Sequence, residues 1–191
     1  HMADRNLHEY DPVIGELNTG GFDTLAIDQR AGGTLWGHDN QTVAKLGKVE
    51  EDFTKALPDL RAAVDWAVSK AYTFIVLVGS SYSASLALLI AEEQTGKVAG
   101  IVTFSPGEYL SGVSVNAAAK KVSIPWYVTG ATDEEADLDK LLSGVSPGKL
   151  TRHKSTNGVH GAATLRADQN AAGAAENIAK LKEWIATLPV K

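Results

Sequence analysis

The pentapeptide Gly79-Ser80-Ser81-Tyr82-Ser83 sets a serine where it could be made a nucleophile. It follows the apolar run Phe74-Ile75-Val76-Leu77-Val78 and precedes a segment with helical apolar spacing. A sharp strand-to-helix turn holds its middle residue out at the end of the strand. The flanking positions must be small there, because the two backbones come close. Gly79 and Ser81 fit the G-x-S-x-G pattern, and Ser83 stands where the second glycine is usual. A hydroxyl so held can attack a carbonyl carbon. The backbone N–H of Tyr82, opening the helix, would face the oxyanion that forms. The same residues also suit a plain helix cap, with Ser80 or Ser81 accepting backbone N–H bonds.

A serine needs a base to take its proton, and the base needs an acid to orient it. Two later segments offer them in the chain order nucleophile, acid, base. The apolar run at residues 125–129 leads into Gly130-Ala131-Thr132-Asp133, and a more polar run near 150–155 leads into Gly158-Val159-His160-Gly161. Asp133 is the expected acid and His160 the expected base, on loops at the same sheet edge as Ser81. Asp133 could instead cap the helix that begins at Glu134-Glu135, while Asp137 and Asp139 fit that helix's surface. His8 and His38 precede the serine, and His153 falls within a strand.

The elements that must carry these residues alternate. Helical spacing predicts helices at about 9–17 (closing at Gly20-Gly21), 53–68 (with Pro58 forcing a start or kink), 84–93, 135–142 and 171–188. Apolar runs predict strands at 22–28, 72–78, 98–104, 125–129 and 150–155, and residues 30–43 read as a Gly-rich loop. Alternating strands and helices predict one doubly wound domain, a mostly parallel sheet with helices on both faces.

Composition narrows the function classes. The 191 residues are 44% hydrophobic with a formal net charge of −5, and the isoelectric point is near 5.5. Neither nucleic acid nor a membrane is expected as a partner. No cysteine is present, which removes disulfides, thiolate metal sites and a cysteine nucleophile. Neither G-x-G-x-x-G nor G-x-x-x-x-G-K-[ST] occurs, so no metal or organic cofactor is expected. No export signal is evident, and a cytoplasmic location is the expectation, with secretion or the periplasm left open.

Taken together, Tyr10-Asp11-Pro12, Ala26-Ile27-Asp28-Gln29-Arg30-Ala31-Gly32-Gly33, Gly79-Ser80-Ser81-Tyr82-Ser83, Phe104-Ser105-Pro106-Gly107-Glu108 and Gly158-Val159-His160-Gly161-Ala162 resemble the dienelactone-hydrolase-like serine esterase group of the α/β-hydrolase superfamily. The resemblance covers most of the chain. It implies a three-layer fold and a triad of Ser81, Asp133 and His160 that cleaves carboxylic esters through an acyl-enzyme. Dienelactone hydrolases proper use a cysteine, and its absence here points to ordinary ester chemistry. About twenty residues separate the runs ending at Phe104 and beginning at Pro125, too few for a cap domain. The expected substrate is therefore a small or short-chain ester, with Trp36, Tyr109 and Trp126 able to line the site.

The resemblance also implies a strand, and a His-Gly loop donating a second oxyanion N–H, ahead of the first helix. His1-Met2-Ala3 stands where that loop should be. The preferred reading of His1-Met2 is the remnant of a cleaved tag. The other makes these residues part of the loop itself, so that Met2 or Ala3 donates its N–H. Without the strand, the chain is expected to be N-terminally shortened. The sheet would then close by pairing its neighbours directly, a homo-oligomer or second chain would complete it, or the chain would be a fragment of a longer protein. The rival functions are a thioesterase or peptidase with the same triad, or an inactive hydrolase-fold binding module.

Overall fold

A computed structural model describes residues 1–35 and 37–189. Trp36, one of the expected substrate-lining residues, lies outside the described residues. Short 3-10 turns apart, the elements run α1 Asp11–Thr19, α2 Gln41–Leu46, α3 Leu57–Ser69, β1 Ile75–Ser80, α4 Tyr82–Glu93, β2 Val98–Phe104, α5 Val115–Ala119, β3 Trp126–Thr129, α6 Glu135–Leu141, β4 Leu150–Arg152 and α7 Ala174–Ile185.

Among the described residues the four strands make one sheet in the order β1-β2-β3-β4, parallel throughout. Side chains alternate across it, as the pleat requires. Ile101, Trp126 and Val128 enter a core with Leu60 and Val64 of α3, Leu86 and Ile90 of α4, Val115 of α5, and Leu138 and Leu141 of α6. Their neighbours Val102, Phe104 and Tyr127 enter the opposite core with Val13 of α1 and Leu181 and Trp184 of α7. The architecture is thus α/β in three layers, a parallel sheet between two helical layers. All but one residue of β2 are buried, which explains why that strand is apolar without alternation.

Trp126 is 1% exposed and donates its indole N–H to Thr103 Oγ1 at 2.8 Å. It is a core residue and not a lining of the expected site: β3 turns its side chain inward, where a large aromatic buries the most surface. Residues 105–125, between β2 and β3, form a loop and α5, whose Val115, Ala118 and Ala119 pack into the same core.

Residues 22–28 differ from expectation. They form no strand, and among the described residues no neighbour pairs with the outer edge of β1. Between that edge and residues 22–27 lies an apolar cavity of about 280 Å³, bounded also by α1 and α3. The sheet therefore does not close by direct pairing. Asp28 anchors the segment instead, accepting the N–H groups of Leu7 and Gln41, each at 2.8 Å. The helix α2, capped by Asn40 accepting the Val43 N–H, begins inside the segment read as loop.

Candidate active site

The serine turn is built by close contact. A Cβ on Gly79 would sit 2.5 Å from the Ser83 carbonyl oxygen and 2.6 Å from Ala84 Cα, so only glycine fits. Ser83 replaces the usual second glycine with a working side chain. Its hydroxyl accepts the Ser80 N–H and donates to the Ser80 carbonyl, each at 2.9 Å. Ser81, between them, holds φ 58° and ψ −123°, outside the regions an L-residue readily adopts. Such strain costs about 1–3 kcal/mol and persists only where its surroundings impose it. Here the Ser81 N–H is tied to the Phe104 carbonyl at 2.8 Å, which fixes the turn to the end of β2.

His160 follows β4 and precedes the 3-10 turn Gly161–Leu165. Its Nε2 lies 2.9 Å from Ser81 Oγ. Its Nδ1 pairs with Glu134 Oε1 in a short hydrogen bond. The carboxylate that meets the imidazole is therefore that of Glu134 and not that of Asp133. A 3-10 turn, Thr132–Glu134, follows β3. It leaves Asp133 exposed, while Glu134 folds back so that its Oε2 accepts the Ala131 N–H at 2.9 Å. The longer side chain then reaches the imidazole. A signal for this was present in Ala131-Thr132-Asp133-Glu134, since a glutamate at the third position of a helical turn commonly accepts the N–H of the residue preceding that turn.

Glu134 also accepts the Ser105 hydroxyl at 2.5 Å. Burial disfavours its charge, but hydrogen bonds from His160, Ser105 and the Ala131 amide outweigh that and hold its pKa down at about 2. With an ionised acceptor at Nδ1, the neutral imidazole carries its proton there and presents Nε2 as acceptor to the Ser81 hydroxyl. The His160 pKa is raised, first by the hydrogen bond to Glu134, against burial, and further by the charges of Glu134, Glu9 and Asp133.

Tyr82 contributes through its backbone. Its side chain is buried and stacks on Phe53 with centroids 4.4 Å apart, while its N–H opens α4 beside Ser81. The residues read as a tag remnant are packed into this corner. His1 is 1% exposed; its ammonium donates to Ser83 Oγ at 3.2 Å, and its Nε2 accepts the Gln29 N–H at 2.8 Å. The Met2 N–H is committed to Glu9 Oε2 at 2.7 Å. Of the two amides considered for the second oxyanion donor, Ala3 is thus the one whose N–H makes no bond to another described residue.

Tyr109 is 38% exposed, and its ring stands nearly perpendicular to that of His160, 6.4 Å between centroids. Its pKa is raised by burial and then by the charges of Glu134 and Asp137, with the Ser81 hydroxyl acting in the opposite sense. The other histidines lie elsewhere: His8 and His38 stack on each other at 3.7 Å, and His153 lies beside Tyr127. No helix among the described residues is long and apolar enough to cross a membrane.

No family model matches the chain, and no curated protein matches it in sequence. In structure it is similar to an esterase from Pyrococcus furiosus, with a TM-score of 0.63 and 17% identity over 97% of this chain and 82% of that one. The two chains accordingly share this three-layer fold.

Proposed function

We propose that this chain is a serine hydrolase that cleaves carboxylic esters of small or short-chain substrates. The observation that carries the reading is the unbroken hydrogen-bonded series Ser81–His160–Glu134 at a strained strand-to-helix turn. Three segments distant in sequence converge to build it, which a helix cap alone would not require.

In the proposed reaction Ser81 Oγ attacks the ester carbonyl while His160 Nε2 takes its proton. Glu134, ionised throughout, holds the imidazole and stabilises the imidazolium. The N–H groups of Tyr82 and Ala3 stabilise the oxyanion. As the tetrahedral intermediate collapses, His160 returns the proton to the departing alkoxide. Water then attacks the acyl-enzyme by the same steps, releasing the acid and restoring Ser81. With no cap over the site among the described residues and Tyr109 half-exposed beside His160, a small acyl group is favoured. The likeness to the Pyrococcus furiosus esterase supports this reading at the level of fold.

A serine-directed fluorophosphonate tests it. Covalent labelling at Ser81, lost in Ser81→Ala, together with turnover of p-nitrophenyl acetate or butyrate, is the expected result. A folded protein that is not labelled would instead be a hydrolase-fold binding module. Labelling with turnover only of thioesters or peptides would keep the triad and replace the substrate class.

A further inference from the structure

We propose that Ser105 is a positioning residue whose buried hydroxyl locks the acid Glu134 and the loop carrying the base His160 into one arrangement. The inference rests on the roles proposed above for Ser81, His160 and Glu134. Ser105 lies just beyond the end of β2 and is 1% exposed. Its hydroxyl donates to Glu134 Oε2 at 2.5 Å and accepts the Gly161 N–H at 2.9 Å. Its own N–H donates to the Thr129 carbonyl, at the end of β3, at 2.8 Å. One small residue thus joins β2, the acid-bearing turn and the base-bearing loop.

The backbone makes the presence of a hydroxyl here informative. Ser105 has φ 51°, a left-handed conformation that costs any residue but glycine free energy. It also precedes Pro106, which restricts it further. A glycine would relieve the left-handed strain; the chain carries a serine, and the serine's oxygen bonds both the acid and the base-bearing loop, whereas Thr132 joins the same turn to that loop at Gly158 and Ser155 without touching Glu134 or His160. The companion hydroxyl, Ser80 Oγ, accepts the Ala162 N–H at 2.8 Å and donates to Glu9 at 2.7 Å. It steadies the same loop from the other side but does not touch the acid.

Without the Ser105 hydroxyl, Glu134 Oε2 keeps only the Ala131 N–H, and the Gly161 N–H loses its acceptor. The carboxylate and the imidazole then separate, and the base returns toward an ordinary histidine. The groups facing His160 are Glu134 and Asp133 from the turn after β3, Glu9 from the N-terminal turn, Ser81 from the serine turn and the ring of Tyr109. Of the charged ones only Glu134 touches it, so a change in its titration reports on that contact.

The test uses Ser105→Gly, which the local φ accommodates, with Ser105→Ala as the second variant. Thermal unfolding establishes the folded fraction. Fluorophosphonate labelling is then followed against pH, and the His160 ring is titrated by NMR. Labelling per folded molecule should slow about ten- to a hundred-fold, the penalty typical of a displaced reacting group, and the His160 midpoint should move down. A purely structural role would lower the folded fraction and leave that midpoint in place. Wild-type labelling with an unchanged midpoint, or a midpoint that rises, overturns the proposal. If the wild-type protein is not labelled at any pH, the hydrolase reading falls, and the direction of the NMR midpoint still decides whether Ser105 holds the pair.

Discussion

Glu134 reaches His160 from the end of a turn whose middle residue, Asp133, faces solvent. The two carboxylates are adjacent in sequence, and only one touches the imidazole, so their amides should behave differently. Glu134→Gln should lower kcat for p-nitrophenyl butyrate by a factor on the order of 10³–10⁴, the size seen when a triad acid loses its charge and the imidazole takes the wrong tautomer. Asp133→Asn removes only a distant charge and should stay within about two-fold, since such a charge is largely screened at the surface. Equal losses in the two variants would mean that the acid is not Glu134.

The same contact sets the pH dependence. His160 must be neutral to accept the Ser81 proton, and Glu134 raises its pKa above the ordinary 6.5. Activity should therefore rise with pH through a midpoint above 6.5 and fall away below it. In Glu134→Gln the residual activity should show that midpoint displaced downward. Folding stability is linked to the acid over a lower pH range. The Glu134 pKa falls from an unfolded value near 4.5 to about 2, so its contribution is complete above 4.5 and is lost as pH falls toward 2. Urea midpoints across that range should decline more steeply in the wild-type protein than in Glu134→Gln.

Much of this arrangement is legible in sequence, and the failures have physical causes. Ser81 and His160 stand out because a strained turn and a close-packed loop demand small flanking residues: a Cβ on Gly161 would lie 2.6 Å from Ser80 Oγ. The carboxylate on His160 lies one residue beyond the one expected because a 3-10 turn and an α-helical start read alike in sequence, yet they aim successive side chains differently. Residues 22–28 carry a strand's composition, but strand propensity expresses a fit to a neighbour, and no described strand stands beside them. Trp126 was given a place in the site because aromatics serve cores and sites equally well, and composition cannot tell the two apart.

Glu9 is 1% exposed, and its carboxylate joins the N-terminal segment to the serine turn by accepting the Met2 N–H and the Ser80 hydroxyl, each at 2.7 Å. Glu9→Ala strands both donors in the interior. It should destabilise the protein by about 1–3 kcal/mol for each donor left without water or a partner, read from urea unfolding. The neighbouring Ala3 amide should shift with it, so labelling of Ser81 per folded molecule should also slow. Glu9→Gln keeps acceptor oxygen and shape and should lose less of both. A variant Glu9→Ala as stable as the wild type would show that the segment is not held in this way.

Tyr109 and Trp126 were paired by sequence as lining residues, and the structure separates them by role. Tyr109 stands beside His160, its ring nearly perpendicular to the imidazole, so Tyr109→Ala should raise KM for p-nitrophenyl butyrate more than for the acetate. Unfolding should change little, because the side chain is 38% exposed and deleting it leaves no closed cavity. Trp126 fills the core beneath β3, and Trp126→Ala should cost about 3–5 kcal/mol through the cavity it opens. Because that loss could unfold the protein, Trp126→Phe is the sharper variant. It deletes the indole N–H that bonds Thr103 and should lower stability while leaving the butyrate-to-acetate ratio of KM unchanged. A change in that ratio with Trp126→Phe, and none with Tyr109→Ala, would reverse the assignment of the two residues.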